Sequence, residues 1–426
     1  MRFHVAVAAS LLALTGCSFR PAASAVASSP EWGPGTTDVR RATALVRVSP
    51  PARLKAAFET TAARSDDPDF SDFLRMHAGG GFGSGFLVTH TSAEGTAAFV
   101  VTNRHVVAES TEAEVSFSDG TTYKSCDVIY ASTKHDLAVL ALPESALRAL
   151  GAGLRPAAED ATDRLPIVAT GYPGIGGKPS YQVTDGKVSN ARFAMPELGL
   201  EGSFIQHTAA IDPGSSGGPL TSESGALVGV NTMLIRQRSS MFFAVPSSAV
   251  VDTVRYAHAL DAHKRSAQWM TAELDKACTT LSSELAATTK SGERLTSFVS
   301  NVAVADRGLE SFVQLARTPI GADIRMHFYQ DPMSAMRRSV LIRLGARSSA
   351  AGGANGSCAS LSPGDAAAIA EGKPVRRAVM TNSGHAMELT WTFEHGAWRV
   401  ANGEMIEIAA EPPPAKTAKT AKRAGK

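Results

Sequence analysis

The sequence is poor in net charge, in cysteine and in long apolar runs, and each shortage excludes something. Its formal net charge is +2, from 42 basic and 40 acidic residues. Residues 412–426 hold five of the basic residues and none of the acidic ones, so the remainder carries 37 against 40. A near-neutral body lacks the electrostatic footprint of a nucleic-acid binder, and no nucleic-acid partner is expected. The cysteines are four, Cys17, Cys126, Cys278 and Cys358. The apolar run near the N-terminus, residues 5–14, is too short to span a bilayer as a mature helix. Histidines and cysteines do not recur at zinc-like spacing, so His385 and His395 are read as surface residues and no metal is expected.

What is present begins with a leader. Arg2 supplies positive charge ahead of the short apolar run, the pattern of a signal peptide over residues 1–17. The run ends in Leu14-Thr15-Gly16-Cys17, which resembles the bacterial lipobox, where the cysteine is lipidated and becomes the new N-terminus. That resemblance implies membrane anchoring through Cys17 and a place in the bacterial envelope, facing the periplasm. An ordinary signal peptide with a chance cysteine is the other reading. Residues 18–40, rich in Ala, Ser, Pro and Gly, read as a flexible tether. Export permits a disulfide among the three remaining cysteines. Cys278 with Cys358 is the favoured pair because both lie in the C-terminal region, with three free thiols as the alternative.

A chain of 426 residues exceeds one ordinary domain of roughly 100–200 residues, so two folded units plus tails are expected. Residues 41–257 read as all-β: short apolar stretches (85–89, 98–102, 137–142, 167–171, 226–231, 241–245) alternate with Gly, Pro, Asn, Asp and Ser. Such spacing points to a barrel or sandwich. Residues 51–78 interrupt it with an Ala-rich helical segment and an acidic loop, Asp66-Asp67-Pro68-Asp69. The glycine-rich residues 79–85 run on into Phe86-Leu87-Val88-Thr89, a strand rather than a helix. They therefore read as a flexible loop entering the first barrel, not a phosphate cradle.

Three segments carry chemistry. Val101-Thr102-Asn103-Arg104-His105 places a histidine just after an apolar strand, and His135-Asp136-Leu137-Ala138 an aspartate at the start of another. Asp212-Pro213-Gly214-Ser215-Ser216-Gly217-Gly218 surrounds a serine with glycines, a backbone able to aim two N–H groups the same way. A lone histidine, aspartate or Gly/Ser turn is commonly structural. The order His, Asp, Ser is that of chymotrypsin-type proteases, and the 31- and 80-residue spacings suit a double barrel. Ser216 is too weak a nucleophile unaided, so His105 takes its proton, and Asp136 orients and supports His105. The N–H groups of Gly214 and Ser216 form the expected oxyanion hole.

The Ser216 turn with the preceding Phe204-Ile205-Gln206-His207-Thr208-Ala209-Ala210-Ile211 resembles the HtrA/Deg-type serine proteases. So do Gly83-Ser84-Gly85-Phe86, residues 102–107, Ala169-Thr170-Gly171-Tyr172-Pro173 and Phe243-Ala244-Val245-Pro246. The resemblance spans residues 41–257 and implies a trypsin-like double β-barrel and endopeptidase activity on protein or peptide substrates, without cofactor. Three places depart from the family pattern: His207-Thr208 after the glutamine, Asp212 with Ser215 in the turn, and Phe242 where the family tends to glycine. Ala210 is placed at the base of the specificity pocket and Phe242 beside it, which implies a small apolar preference.

Beyond residue 257 the pattern changes. Residues 258–316 show helical spacing, through Met270, Leu274, Ala277, Leu281 and Leu285. Residues 322–347 and 375–408 read as strands, with a hairpin turn at Glu394-His395-Gly396-Ala397. The result is a mainly β chain: a chymotrypsin-like double β-barrel, then a smaller α+β domain over 258–410 that vaguely resembles the nuclear-transport-factor type. A PDZ domain is not recognisable there. Residues 411–426, rich in Pro, Ala and Lys, read as a disordered basic tail. Two functions follow: an envelope serine endopeptidase in protein quality control or processing, needing no metal and able to form a homo-oligomer, or a catalytically silent trypsin-like binding or scaffold module.

Overall fold

The computed structural model describes residues 31–33, 35–93, 95–108, 110–175, 177–194, 202–234, 241–263, 266–286, 298–300, 303–304, 336–337, 340, 354–360, 365–371, 373–382 and 385–406. The signal-peptide reading with Cys17, most of the tether and the basic tail lie outside them; so do most of residues 322–347, read as strands, and the three described there, 336, 337 and 340, are helical.

The short apolar strands curl into two closed barrels, as the fold class anticipated. The first is built from β1 (Thr43–Val48), β2 (Gly81–Ser92), β3 (Gly95–Thr102), β4 (Glu112–Phe117), β5 (Thr122–Ala131) and β6 (Ala138–Ala141). Its order is β1-β2-β3-β6-β5-β4, closed by antiparallel pairing of β1 with β4. Val46, Phe86, Val100, Val115 and Leu140 fill its interior. The second holds β7 (Pro166–Gly171), β10 (Gln182–Phe193), β11 (Phe204–His207), β12 (Pro219–Ser222), β13 (Leu227–Leu234) and β14 (Phe242–Pro246), in the order β10-β11-β14-β13-β12-β7. Ile167, Val188, Ile205, Leu220 and Ala244 form its core. Between β7 and β10 the chain makes a small hairpin, β8 (Gly174–Ile175) with β9 (Lys178–Pro179). Closure, by β1 with β4 and β7 with β10, leaves neither six-stranded sheet with a free edge strand.

Short helices α1 (Val39–Ala42), α4 (Arg104–Val107) and α5 (Ser145–Leu150) sit at the strand ends. The interruption at 51–78 forms α2 (Ala52–Arg64) and α3 (Pro68–Ala78). The acidic residues are less of a loop than the sequence suggested. Asp67 caps α3, accepting from the Phe70 N–H at 3.1 Å, and Pro68 occupies the first turn, where its missing N–H costs nothing. The apolar stripes Leu54, Phe58, Ala62 and Leu74 turn away from the barrel and join the core of the C-terminal unit. The glycine-rich residues also differ from a loop: β2 begins at Gly81.

Helix α6 (Ser247–His263) lays Val250, Val254 and Ala257 against the first barrel. The C-terminal unit follows, with α7 (Ala267–Ala286), β15 (Ala354–Ser360), α8 (Asp365–Ala370), β16 (Val375–Thr381), β17 (Ala386–Glu394) and β18 (Ala397–Ile406). Its strands form an antiparallel sheet in chain order. Met270, Leu274, Cys278 and Leu281 recur down one face of α7 and bury against Val379, Leu389 and Trp391 of the sheet. A disulfide joins Cys278 to Cys358, fastening α7 to β15. Cys126 is a buried free thiol of the first barrel.

Candidate active site

Each expected catalytic side chain sits where a strand ends. β3 stops at Thr102, and Asn103 turns the chain into α4, which holds His105 at the barrel rim. β5 stops at Ala131, and residues 132–136 lead into β6. That loop is organised by Ser132: its hydroxyl oxygen accepts from the Lys134 and His135 N–H groups, both at 3.2 Å, and its N–H donates to the Leu137 carbonyl at 2.9 Å. The Asn103 side-chain amide donates to the Asp136 carbonyl at 2.8 Å, linking the two rim segments.

The Asp136 carboxylate is buried and accepts three bonds. Oδ1 takes the His105 backbone N–H at 3.0 Å, while Oδ2 takes the His105 ring Nδ1–H at 2.7 Å and the Thr232 hydroxyl. Burial alone would raise its pKa. The neighbouring His105, the bond from that ring, the Arg104 charge and the Thr232 bond overcome this and hold it well below the usual carboxylate range.

Ser216 lies on the tight turn into β12. Gly214 has φ +103, and a Cβ there would stand 2.6 Å from the Tyr172 carbonyl oxygen. Gly217 has φ +85, with space for a Cβ closed by the Ser84 carbonyl at 2.1 Å. Only glycine meets both demands. The turn is tied to the first barrel: Ser84 N–H donates to the Ser216 carbonyl at 2.8 Å, and Ser84 Oγ donates to the Gly214 carbonyl at 2.7 Å while accepting from Tyr172 N–H at 2.8 Å. The Pro213 carbonyl accepts from Gly174 N–H at 2.9 Å, at the start of β8. Because the trans peptide sets N–H opposite to C=O, Gly214 N–H points away from Gly174. Ser216 Oγ donates to the Thr232 carbonyl at 3.1 Å.

Thr232 therefore touches two of the three expected residues, through its hydroxyl to Asp136 and its carbonyl to Ser216. Sequence reasoning missed it, because a threonine inside the apolar strand β13 carries no local mark of a role. Ser84 was visible only as part of a motif; its buried hydroxyl stitches the turn to the first barrel.

At the expected specificity pocket, Ala210 is exposed and its carbonyl accepts from Thr184 Oγ1 at 2.8 Å. Phe242 is half-buried and stacks on His207, with ring centroids 6.1 Å apart and planes at 28°. Burial pushes the His207 imidazole down to about 4, so it is neutral at pH 7. Residues 235–240, between β13 and β14, lie outside the described residues. A cavity of about 210 Å³ lies behind the aspartate, lined by Asp136, Phe204, Val245 and Asp252 and not by Ser216.

His395 departs from expectation. It is half-buried rather than exposed: it sits in the two-residue turn between β17 and β18, its carbonyl accepts from Ala131 N–H of the first barrel, and burial of the ring, with the nearby Arg399 and Arg337 charges, pushes its imidazole down to about 3. His385 is exposed, as read from the sequence. Among the described residues no cluster of three or more His, Cys, Asp or Glu could hold a metal ion.

Comparison with known proteins bears on residues 83–230, which match the model of a trypsin-like peptidase domain. The chain is 33% identical over 183 residues to serine protease HTRA1 of Xenopus tropicalis, covering 42% of this chain and 36% of that protein. It is 33% identical over 174 residues to a probable periplasmic serine endoprotease, DegP-like, of Halomonas elongata, covering 40% and 34%. The chain thus spans about a third of the length of these relatives. The active form of the Rv3671c protease from M. tuberculosis aligns at 22% identity with a TM-score of 0.37, over 51% of this chain and 81% of that one.

Proposed function

The chain carries a trypsin-like peptidase domain of the HtrA type, and from that premise we propose that it is a serine endopeptidase acting through Ser216, His105 and Asp136. The observation that carries the reading is the 2.7 Å bond between His105 Nδ1 and Asp136 Oδ2, on a rim tied to the Ser216 turn through Thr232 and Ser84. With Nδ1–H donated to the carboxylate, Nε2 is the nitrogen left to act as base. It takes the Ser216 Oγ proton as Oγ attacks the peptide carbonyl carbon. The carbonyl electron pair moves onto oxygen, where the N–H groups of Gly214 and Ser216 receive it. His105 then gives its proton to the leaving amine as the C–N bond breaks, and water repeats the sequence on the acyl-enzyme.

The substrates in this reading are exposed segments of envelope proteins, in quality control or processing. Anchoring is through a lipid on Cys17, and mass spectrometry of the mature N-terminus tests it: an unmodified residue there rules out the anchor. The half-buried Phe242 supports a pocket for small apolar side chains. The test of the catalytic reading is a fluorophosphonate probe applied to the mature protein and to Ser216→Ala. Labelling lost in the variant is expected. A folded protein that labels in neither form is a silent scaffold module instead.

A further inference from the structure

Strand β5 runs past the end of β4, whose last pairing partner on it is Asp127. The outer backbone edge of residues 129–131 would then be bare, and these residues lead into the loop that presents Asp136. The turn of the C-terminal sheet covers that edge. Ala131 N–H donates to the His395 carbonyl at 3.0 Å, and the Ala131 carbonyl accepts from Arg399 Nη2 at 3.0 Å. Gly396, at φ +72, makes the close approach: a Cβ there would meet Leu260 Cδ2 at 2.6 Å and the Ile129 carbonyl at 2.9 Å. Tyr256 of α6 secures the turn through its hydroxyl to the Gly396 carbonyl at 3.2 Å.

The next carbonyl along, that of Ser132, accepts from Arg104 Nη1 at 2.9 Å. Two guanidinium groups thus hold consecutive carbonyls at the root of the aspartate loop, one from the helix of His105 and one from the C-terminal unit. A third, Arg337, reaches the Ala108 carbonyl at 3.4 Å, just past that helix. Beyond the turn, the two units part around a cavity of about 690 Å³. Ser132, Lys134 and His135 line one side, and Glu273, Lys276 and Trp398 the other. The flank of the loop faces this space.

We propose that Arg399 and the turn at His395-Gly396 are positioning elements for the protease reaction, by which the C-terminal unit holds the loop of Asp136 in its working geometry. The inference rests on the triad reading of the preceding section. Arg399 is buried, and its Nη2 and Nε donate to carbonyls, those of Ala131 and, at 3.3 Å, Glu394. Burial, with the nearby charges of Arg337 and Arg104, pushes its pKa down to about 9. Burying a guanidinium near two others is costly even with Glu394 as a partial counter-charge, and a structural contact between units could be made by apolar groups at lower cost. The geometry instead places a charge on a strand end that continues into the catalytic loop.

The experiment uses the full mature chain, with Arg399→Met and Arg399→Lys, and Tyr256→Phe as the mild variant in case the methionine chain does not fold. Fluorophosphonate labelling rate, kcat and KM on an unfolded protein substrate, and amide exchange at Ala131 are measured. Small displacements of a catalytic group cost on the order of 10²-fold, so Arg399→Met is expected to lose roughly 10-fold to 10²-fold in kcat and labelling with KM within about twofold. The acid limb of its kcat/KM profile moves to lower pH, because a displaced carboxylate favours the charged imidazole less. Arg399→Lys restores part of the loss, and Tyr256→Phe shows a smaller loss in the same direction, with faster Ala131 exchange in both weakened variants. A wild type that does not label sinks the triad reading and the positioning role with it. A wild type that labels, with variants that match it in kcat and pH profile, overturns the positioning role alone.

Discussion

Thr232→Val removes the hydroxyl that donates to Asp136 and keeps the backbone carbonyl that accepts from Ser216. The perturbation is confined to one bond, since Thr232 is buried and valine has nearly its shape. Asp136 then keeps two of its three donors, both from His105. A hydrogen bond to a charged group contributes about 1.5–3 kcal/mol, and the loss is felt in full where water cannot replace the donor. The expected cost is therefore ~1.5–3 kcal/mol at pH 7, read as a lower urea midpoint at unchanged slope. The lowered pKa of Asp136 gives the sign of the pH dependence. Its stabilising contribution is present above the unfolded carboxyl value of about 3.9 and is lost as pH falls towards the folded value, so the deficit of the variant narrows below about pH 4. The hydroxyl supports the carboxylate in ground and transition states alike. Most of the loss should appear in stability, with kcat/KM falling about tenfold or less. A stability change below ~0.5 kcal/mol, or a rate loss above ~10²-fold at unchanged stability, would refute this account of the bond.

Gly214→Ala forces a side chain onto the Tyr172 carbonyl at a left-handed φ, so the oxyanion turn must shift; labelling by a fluorophosphonate should slow by about 10²–10³ while the fold persists by circular dichroism. Phe242→Gly should broaden cleavage-site preference towards larger apolar residues in a peptide library, and an unchanged profile would remove Phe242 from the pocket. Phe58→Ala should destabilise the C-terminal unit by about 3–5 kcal/mol, because that ring is fully buried in its core, and thermal unfolding would register it. Cys126, whose thiol burial pushes up to about 11, should resist alkylation at pH 8 until the barrel is unfolded.

Legibility followed the range of the interaction. His105, Asp136 and Ser216 could be picked out because each sits at a strand end marked by local residues, and their order along the chain matches a double barrel. The hairpin at His395-Gly396 was legible for the same reason, since a positive φ at two adjacent residues favours a glycine-containing pair. The mutual placement of distant residues was not. Thr232 lies 96 residues from Asp136, and Ser84 130 from Gly214, and neither bond leaves a trace in sequence spacing.

The sequence by itself determined the periodicities over most of the barrels and the last hairpin: which of those segments become strands, where the glycine turn must bend, and which helix faces are apolar; residues 336, 337 and 340, read from their pattern as strand, are helical. These are local, set by side-chain alternation and backbone sterics. Tertiary structure alone decided where the faces go. Leu54 and Phe58, embedded between two strands of the first barrel, were sent to the C-terminal core. His395, which reads as an exposed turn residue, was packed against that barrel, and Arg399 was carried 268 residues along the chain to the carbonyl of Ala131. Such contacts depend on how closed barrels and a sheet fit together as solids, and a linear pattern of polar and apolar residues carries no record of that fit.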